Sequence, residues 1–109
     1  MTIDLDVAKA SAHFGIDPKL IQAVVQAEGD ILKAVRCSVP TTKDRADAID
    51  ITCRSAVNAM SDFLKAGGGT SAQFVAFWAM RWAPDGADND PTHLNANWPK
   101  NVSKLWLGK

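Results

Sequence analysis

Apolar residues recur at spacings of three and four along most of the chain, and that rhythm is interrupted at two places, Gly67-Gly68-Gly69 and residues 83–99. Spacing of this kind lays one apolar stripe along a helix, so the pattern predicts an all-α domain of about five to six helices. The first helix is expected over residues 4–14, stopped by Gly15. Asp17 followed by Pro18 is a start signal: the carboxylate can accept from free amides, and proline tolerates the first helical position. The second helix then runs to about Glu28, with Leu20, Ile21, Val24 and Val25 on one stripe and Glu28 continuing it. Gly29 stops it, and Asp30 can cap a short helix through Arg36 that turns Ile31, Leu32 and Val35 inward.

Beyond Pro40, Thr42 is positioned to cap a long helix reaching Lys65, with Ala46, Ile49, Cys53, Val57, Met60 and Leu64 facing inward, and its length makes it the expected central helix. After the triple glycine, Thr70 and Gln73 form a capping-box pattern that opens an aromatic-rich helix bearing Phe74, Phe77, Trp78, Arg81 and Trp82. Ala83-Pro84 ends that helix. The polar, turn-rich segment that follows has no period over roughly 15 residues, a length that in a compact domain marks a functional or disordered loop. Trp82 and Trp98 at its ends argue for order, and a last helix over about residues 99–107 is expected to dock Val102, Leu105 and Trp106.

Length and composition bound the function classes. With 109 residues, 47% hydrophobic and 22% charged, the chain reads as one folded domain spanning residues 1–109. Twelve basic and twelve acidic side chains cancel, which removes the general attraction to a polyanion and leaves no basic stripe for nucleic acid. Lys100, Lys104 and Lys109 read as a solvated surface. The opening residues carry Asp4 and Asp6 and no long apolar run, so neither a secretory signal nor a membrane-inserted helix is expected, and the protein is expected to be a monomer. Cys37 and Cys53 fit either two buried thiols or a disulfide between helices; with no CxxC and no histidine pair at ligand spacing, no metal and no cofactor is expected. His13 and His93 are the only histidines, and Asp85, Asp88 and Asp90 do not follow a calcium-loop spacing.

Glu28 is the most informative side chain. A carboxylate at the end of an apolar stripe is desolvated, paired or at the edge of a cleft, and a desolvated carboxylate keeps a proton available for general acid work such as protonating a glycosidic oxygen. Pairing with Arg81 or Arg54, or an outward turn at the helix end, is the alternative. The loop supplies Asp85, Asp88, Asn89, Asp90, Asn95, Asn97 and Asn101 together with Trp82 and Trp98. Amides and carboxylates interleaved with indoles suit a sugar, whose hydroxyls need fixed partners and whose ring faces need flat apolar surfaces. The same Asx residues also serve ordinary turn chemistry.

Two stretches, IDPKLIQAVVQAEGD and AMRWAPDGADNDPTHLNANWPKNV, cover about a third of the chain and together resemble the lysozyme-like superfamily, especially small phage-type lysozymes and soluble lytic transglycosylases. The resemblance implies a lysozyme-like helical fold with a Trp/Asn/Asp-containing loop closing over the sugar. It implies Glu28 as the catalytic residue and a Trp-Pro-x-x-Val segment, here Trp98 to Val102, leading into the terminal helix. Arg81, Trp82, Asp85, Asn89, Asp90, Trp98 and Asn101 are then the expected substrate-binding set. The implied partner is the peptidoglycan glycan strand, and the implied setting is phage or prophage. The protein would be made in the cytoplasm and act at the wall or periplasm, or ride in a virion. Gly29 stands where transglycosylases of this kind carry Ser, and their Gly-Leu-Met-Gln and Ala-Tyr-Asn-Ala-Gly motifs are absent from the sequence. A non-catalytic structural or wall-binding module on the same scaffold is the alternative.

Overall fold

The computed structural model describes residues 2–83 and 94–108. Among these the protein is all-helical, with six α-helices and no strand. They are α1 (Leu5–Phe14), α2 (Pro18–Glu28), α3 (Ile31–Arg36), α4 (Arg45–Lys65), α5 (Ser71–Trp82) and α6 (Trp98–Leu107), with a 3-10 turn at Leu94–Asn97 leading into α6. Local capping sets most of the boundaries. Asp4 accepts from the Val7 amide, Asp17 from Lys19 and Asp30 from Lys33, while Gly15 closes α1 in the left-handed region at φ 69°. At α5 the capping box is complete, with Thr70 accepting from the Gln73 amide at 3.1 Å and Gln73 accepting from the Thr70 amide at 2.8 Å.

The start of α4 differs from expectation. Asp44 is the cap, accepting from the Asp47 amide at 2.9 Å, whereas Thr42 is buried in the preceding turn. There the Thr42 hydroxyl donates to the Val39 carbonyl at 2.6 Å, and the Thr42 carbonyl accepts from Arg36 Nε at 2.9 Å. The inward face of α4 is also rotated from the expected one: Ala48, Ile49, Thr52, Cys53, Ala56, Ala59 and Phe63 are buried, while Ala46 and Leu64 are exposed and Val57 and Met60 half-buried. The buried Thr52 hydroxyl is satisfied by donating to the Ala48 carbonyl at 2.8 Å.

α2 and α4 share the centre of the domain: α2 packs against α1, α3, α4 and α6, and α4 packs against α1, α2, α3 and α5. All six positions 20–25 of α2 are buried, whereas α4 keeps a solvated face that includes Arg54, Asn58 and Asp62. Gln22, the polar side chain within that run, is satisfied because its Oε1 accepts from the Asp4 amide at 3.0 Å. The carboxylates of Asp4 and Asp6 also hold Arg45, tying the start of α1 to the start of α4.

An aromatic chain joins α4, α5 and α6. Phe63 meets Phe74 at 5.6 Å, Phe74 stacks on Trp78 at 6.0 Å, and Trp78 contacts Trp82 at 5.6 Å and the edge of Trp98 at 5.5 Å. On α6, Trp98 and Val102 are buried, and the half-buried Trp106 donates its indole N–H to Asp17 at 3.0 Å, which fastens α6 to the start of α2. Leu105, expected to dock, is 38% exposed at the edge of the stripe that Trp98, Val102 and Trp106 form.

Candidate functional site

Glu28 is the last residue of α2, Trp82 the last of α5 and Trp98 the first of α6, so three helix ends meet at one point. The Glu28 carboxylate is half-buried and accepts two indole hydrogen bonds, from Trp82 Nε1 at 3.2 Å and from Trp98 Nε1 at 2.7 Å. Both reach Oε1. An indole N–H only donates, so Oε1 is held as an acceptor, and whenever Glu28 carries a proton that proton sits on Oε2. Gly29, at φ 75°, lets the chain turn away at once and keeps the carboxylate at the helix end.

The carboxylate lines a cavity of about 360 Å³ between α3, α4 and α5. Val35, Val39 and Ile51 supply its apolar wall, while Ser38, Ser55, Arg81 and Asn95 supply polar groups. A concave apolar wall with a few converging polar side chains is the ordinary composition of a ligand site. Ser55 accepts from Trp78 Nε1 at 2.9 Å, so its hydroxyl oxygen is held in place while its own proton can be given to a ligand.

The expected site residues separate into three groups. Glu28, Trp82 and Arg81 line the cavity, and Trp98 holds Glu28 from behind. Trp98 is only 6% exposed, so it presents its N–H and not its ring face. Arg81 is paired with Asp62 at 2.7 Å and lies over the Phe77 ring at 5.0 Å, and Arg54 lies over Phe14 at 5.7 Å. Among the described residues neither arginine pairs with Glu28. Asn101 is exposed on α6 and is not among the cavity-lining residues. Asp85, Asn89 and Asp90 lie outside the described residues, as do Asp88 and His93.

The sequence reading missed Ser55, Ile51, Val35 and Val39. Ile51, Ser55 and Asn58 follow one another at spacings of four and three on α4, a mixed apolar and polar row that signals a half-buried face. The cysteines correct another expectation. Cys53 is fully buried, and burial pushes its thiol up to about 11. Cys37 is exposed at the cavity wall, where its S–H donates to the Lys33 carbonyl at 3.4 Å. Both thiols are free, so they form neither a disulfide nor a buried pair. The reason is that α3 turns position 37 outward, while α4 turns position 53 into the core.

Among the described residues no group of three His, Cys, Asp or Glu side chains is arranged to hold a metal, and no helix is long and apolar enough to cross a membrane. No family model, curated protein or solved structure matches the chain.

Proposed function

We propose that the protein cleaves peptidoglycan glycan strands, with Glu28 as general acid and then general base. The observation that carries this reading is the double indole clamp on one oxygen of a half-buried glutamate at the wall of a ligand-sized cavity. Proton transfer demands a carboxyl group of fixed orientation, and the clamp leaves Oε2 as the oxygen that gives and takes the proton. Oε2 protonates the bridging oxygen as the MurNAc–GlcNAc bond breaks and positive charge develops on the sugar ring. The resulting carboxylate then removes a proton either from water, which gives a reducing end, or from the sugar's own 6-hydroxyl, which gives an anhydro end. Either route returns Glu28 to its starting protonation state. The resemblance of residues 16–30 and 79–102 to lysozyme-like proteins supports the same chemistry. It also carries the proposal of a phage or prophage protein acting at the wall, in the periplasm or from a virion.

A non-catalytic wall-binding or virion module is the second reading. It is favoured by the same bonds taken as a tie between three helix ends, and by Gly29 standing where transglycosylases of this kind carry Ser. Incubation with purified peptidoglycan, followed by mass spectrometry of the soluble products, separates the two. Anhydro muropeptides mark a lytic transglycosylase and reducing ends mark a hydrolase. No release by protein shown to be folded supports the binding module.

A further inference from the structure

The cavity at Glu28 does not stop at Arg81. Ile51, Ser55 and Arg81 also line a second cavity of about 360 Å³, whose remaining walls are Arg54 and Asn58. The two therefore adjoin along α4, with a carboxylate in the first and hydrogen-bond donors gathered in the second. At the far end Arg54 has no carboxylate within ion-pair distance among the described residues, and its guanidinium is steadied over Phe14 at 5.7 Å. Arg81, which pairs with Asp62 at 2.7 Å, lines the same cavity. Ser55 is already an acceptor for Trp78, so toward a ligand it acts as a donor, and the exposed Asn58 amide adds two more N–H groups. A guanidinium, a hydroxyl and an amide lining one groove suit an anion, and the fork of an arginine suits a carboxylate.

From this geometry we infer that the groove formed by Arg54, Ser55 and Asn58 is a carboxylate-binding subsite, which makes the preferred ligand an acidic glycan rather than a neutral one. This rests on the reading of Glu28 as a glycan-cleaving residue, and it adds which glycans are taken. The negative group lies on Arg54 while the neutral sugar unit reaches Glu28. The zero net charge of the chain makes this a local recognition element rather than a general attraction for polyanions.

The test is an NMR titration of the whole protein with an N-acetylglucosamine tetrasaccharide, with a muramic-acid tetrasaccharide carrying free lactyl carboxylates, and with its peptide-bearing form. The indole N–H signals of Trp82 and Trp98 report the Glu28 end, and the Asn58 side-chain amide reports the subsite. At low salt an acidic oligomer is expected to bind roughly fivefold more tightly than the neutral one, the scale of one partly exposed ion pair. Only the acidic oligomer should shift Asn58. Both Arg54→Gln and Asn58→Asp, exposed positions on α4, should erase the difference while leaving the neutral affinity unchanged.

Preference for the stripped muramic oligomer assigns the carboxylate to the lactyl group, and preference for the peptide-bearing form assigns it to the stem. Equal affinity of neutral and acidic oligomers, or a preference that survives both substitutions, overturns the subsite and leaves the glycan reading standing. If no oligomer moves any signal, both fall. A single-stranded oligodeoxynucleotide that competes at comparable concentration would overturn carboxylate recognition in favour of phosphodiesters.

Discussion

Trp98 Nε1 and Glu28 Oε1 lie 2.7 Å apart at the edge of the core, so this bond serves both the fold and the orientation of the carboxylate. Trp98→Phe keeps most of the ring against Trp78 and removes the donor. It is expected to lower stability by about 1–3 kcal/mol in urea unfolding, the range for removing one partner of a buried hydrogen bond. Glu28→Gln is expected to cost less than about 1 kcal/mol, because the amide oxygen still accepts from both indoles. The thiols give a second check at this scale. Native protein at neutral pH should take up one equivalent of a thiol reagent at Cys37, and Cys53, buried and pushed up to about 11, should react only after unfolding. Peptide mapping of the label reads both. Glu28 was legible in the sequence because an acid at the end of an apolar stripe is conspicuous. The indole donors were not, because a tryptophan shows its apolar bulk to a pattern search and hides which way its N–H points.

At the scale of elements, the glycines and caps make the sharpest predictions. A Cβ at Gly69 would collide with the Gln73 side chain that completes the capping box and would press on the Phe63 ring at 3.1 Å. Gly69→Ala is therefore expected to destabilise by about 1–2 kcal/mol, at least as much as Thr70→Ala, which removes one cap hydrogen bond and costs about 1 kcal/mol. Urea midpoints measure both. Between α1 and α4, the Arg45 guanidinium beside Asp4 holds the Asp4 carboxyl below its ordinary range. A depressed carboxylate adds stability above its unfolded value, and that stability disappears as pH falls through the folded one. Asp4→Asn retains an oxygen to cap α1 but abolishes this term, so its urea midpoint should vary less than wild type below about pH 4. The difference should be under about 1 kcal/mol because the pair is partly solvated. Helix ends were legible wherever the cap is a local interaction, as at Asp17, Asp30 and Thr70. The start of α4 was not, because Thr42 and Asp44 are both good caps, and a contact from Arg36 on another helix decides between them.

Over the whole molecule, the position of α2 explains why a short helix can present a carboxylate of fixed orientation. Its six buried positions anchor it against four neighbours, so the Glu28 end is set by the core rather than by a loop. That arrangement was only partly readable. The alanine-rich stretch of α4 offers two plausible stripes, and without knowing which one α1 to α3 cover, the cavity wall at Ile51 and Ser55 cannot be chosen. The all-α class and the helix count survive that ambiguity, since both follow from periodicity and caps. The proposed role of Glu28 as the proton-transferring group of a glycan-cleaving site is put to the test by comparing muropeptide release from purified peptidoglycan by wild type and Glu28→Gln, each shown to be folded by its unfolding midpoint. Release by wild type and a loss of about 100-fold or more in the variant, the scale of general acid catalysis, are expected. Release by the variant at the wild-type rate, or none by folded wild type, would contradict that role.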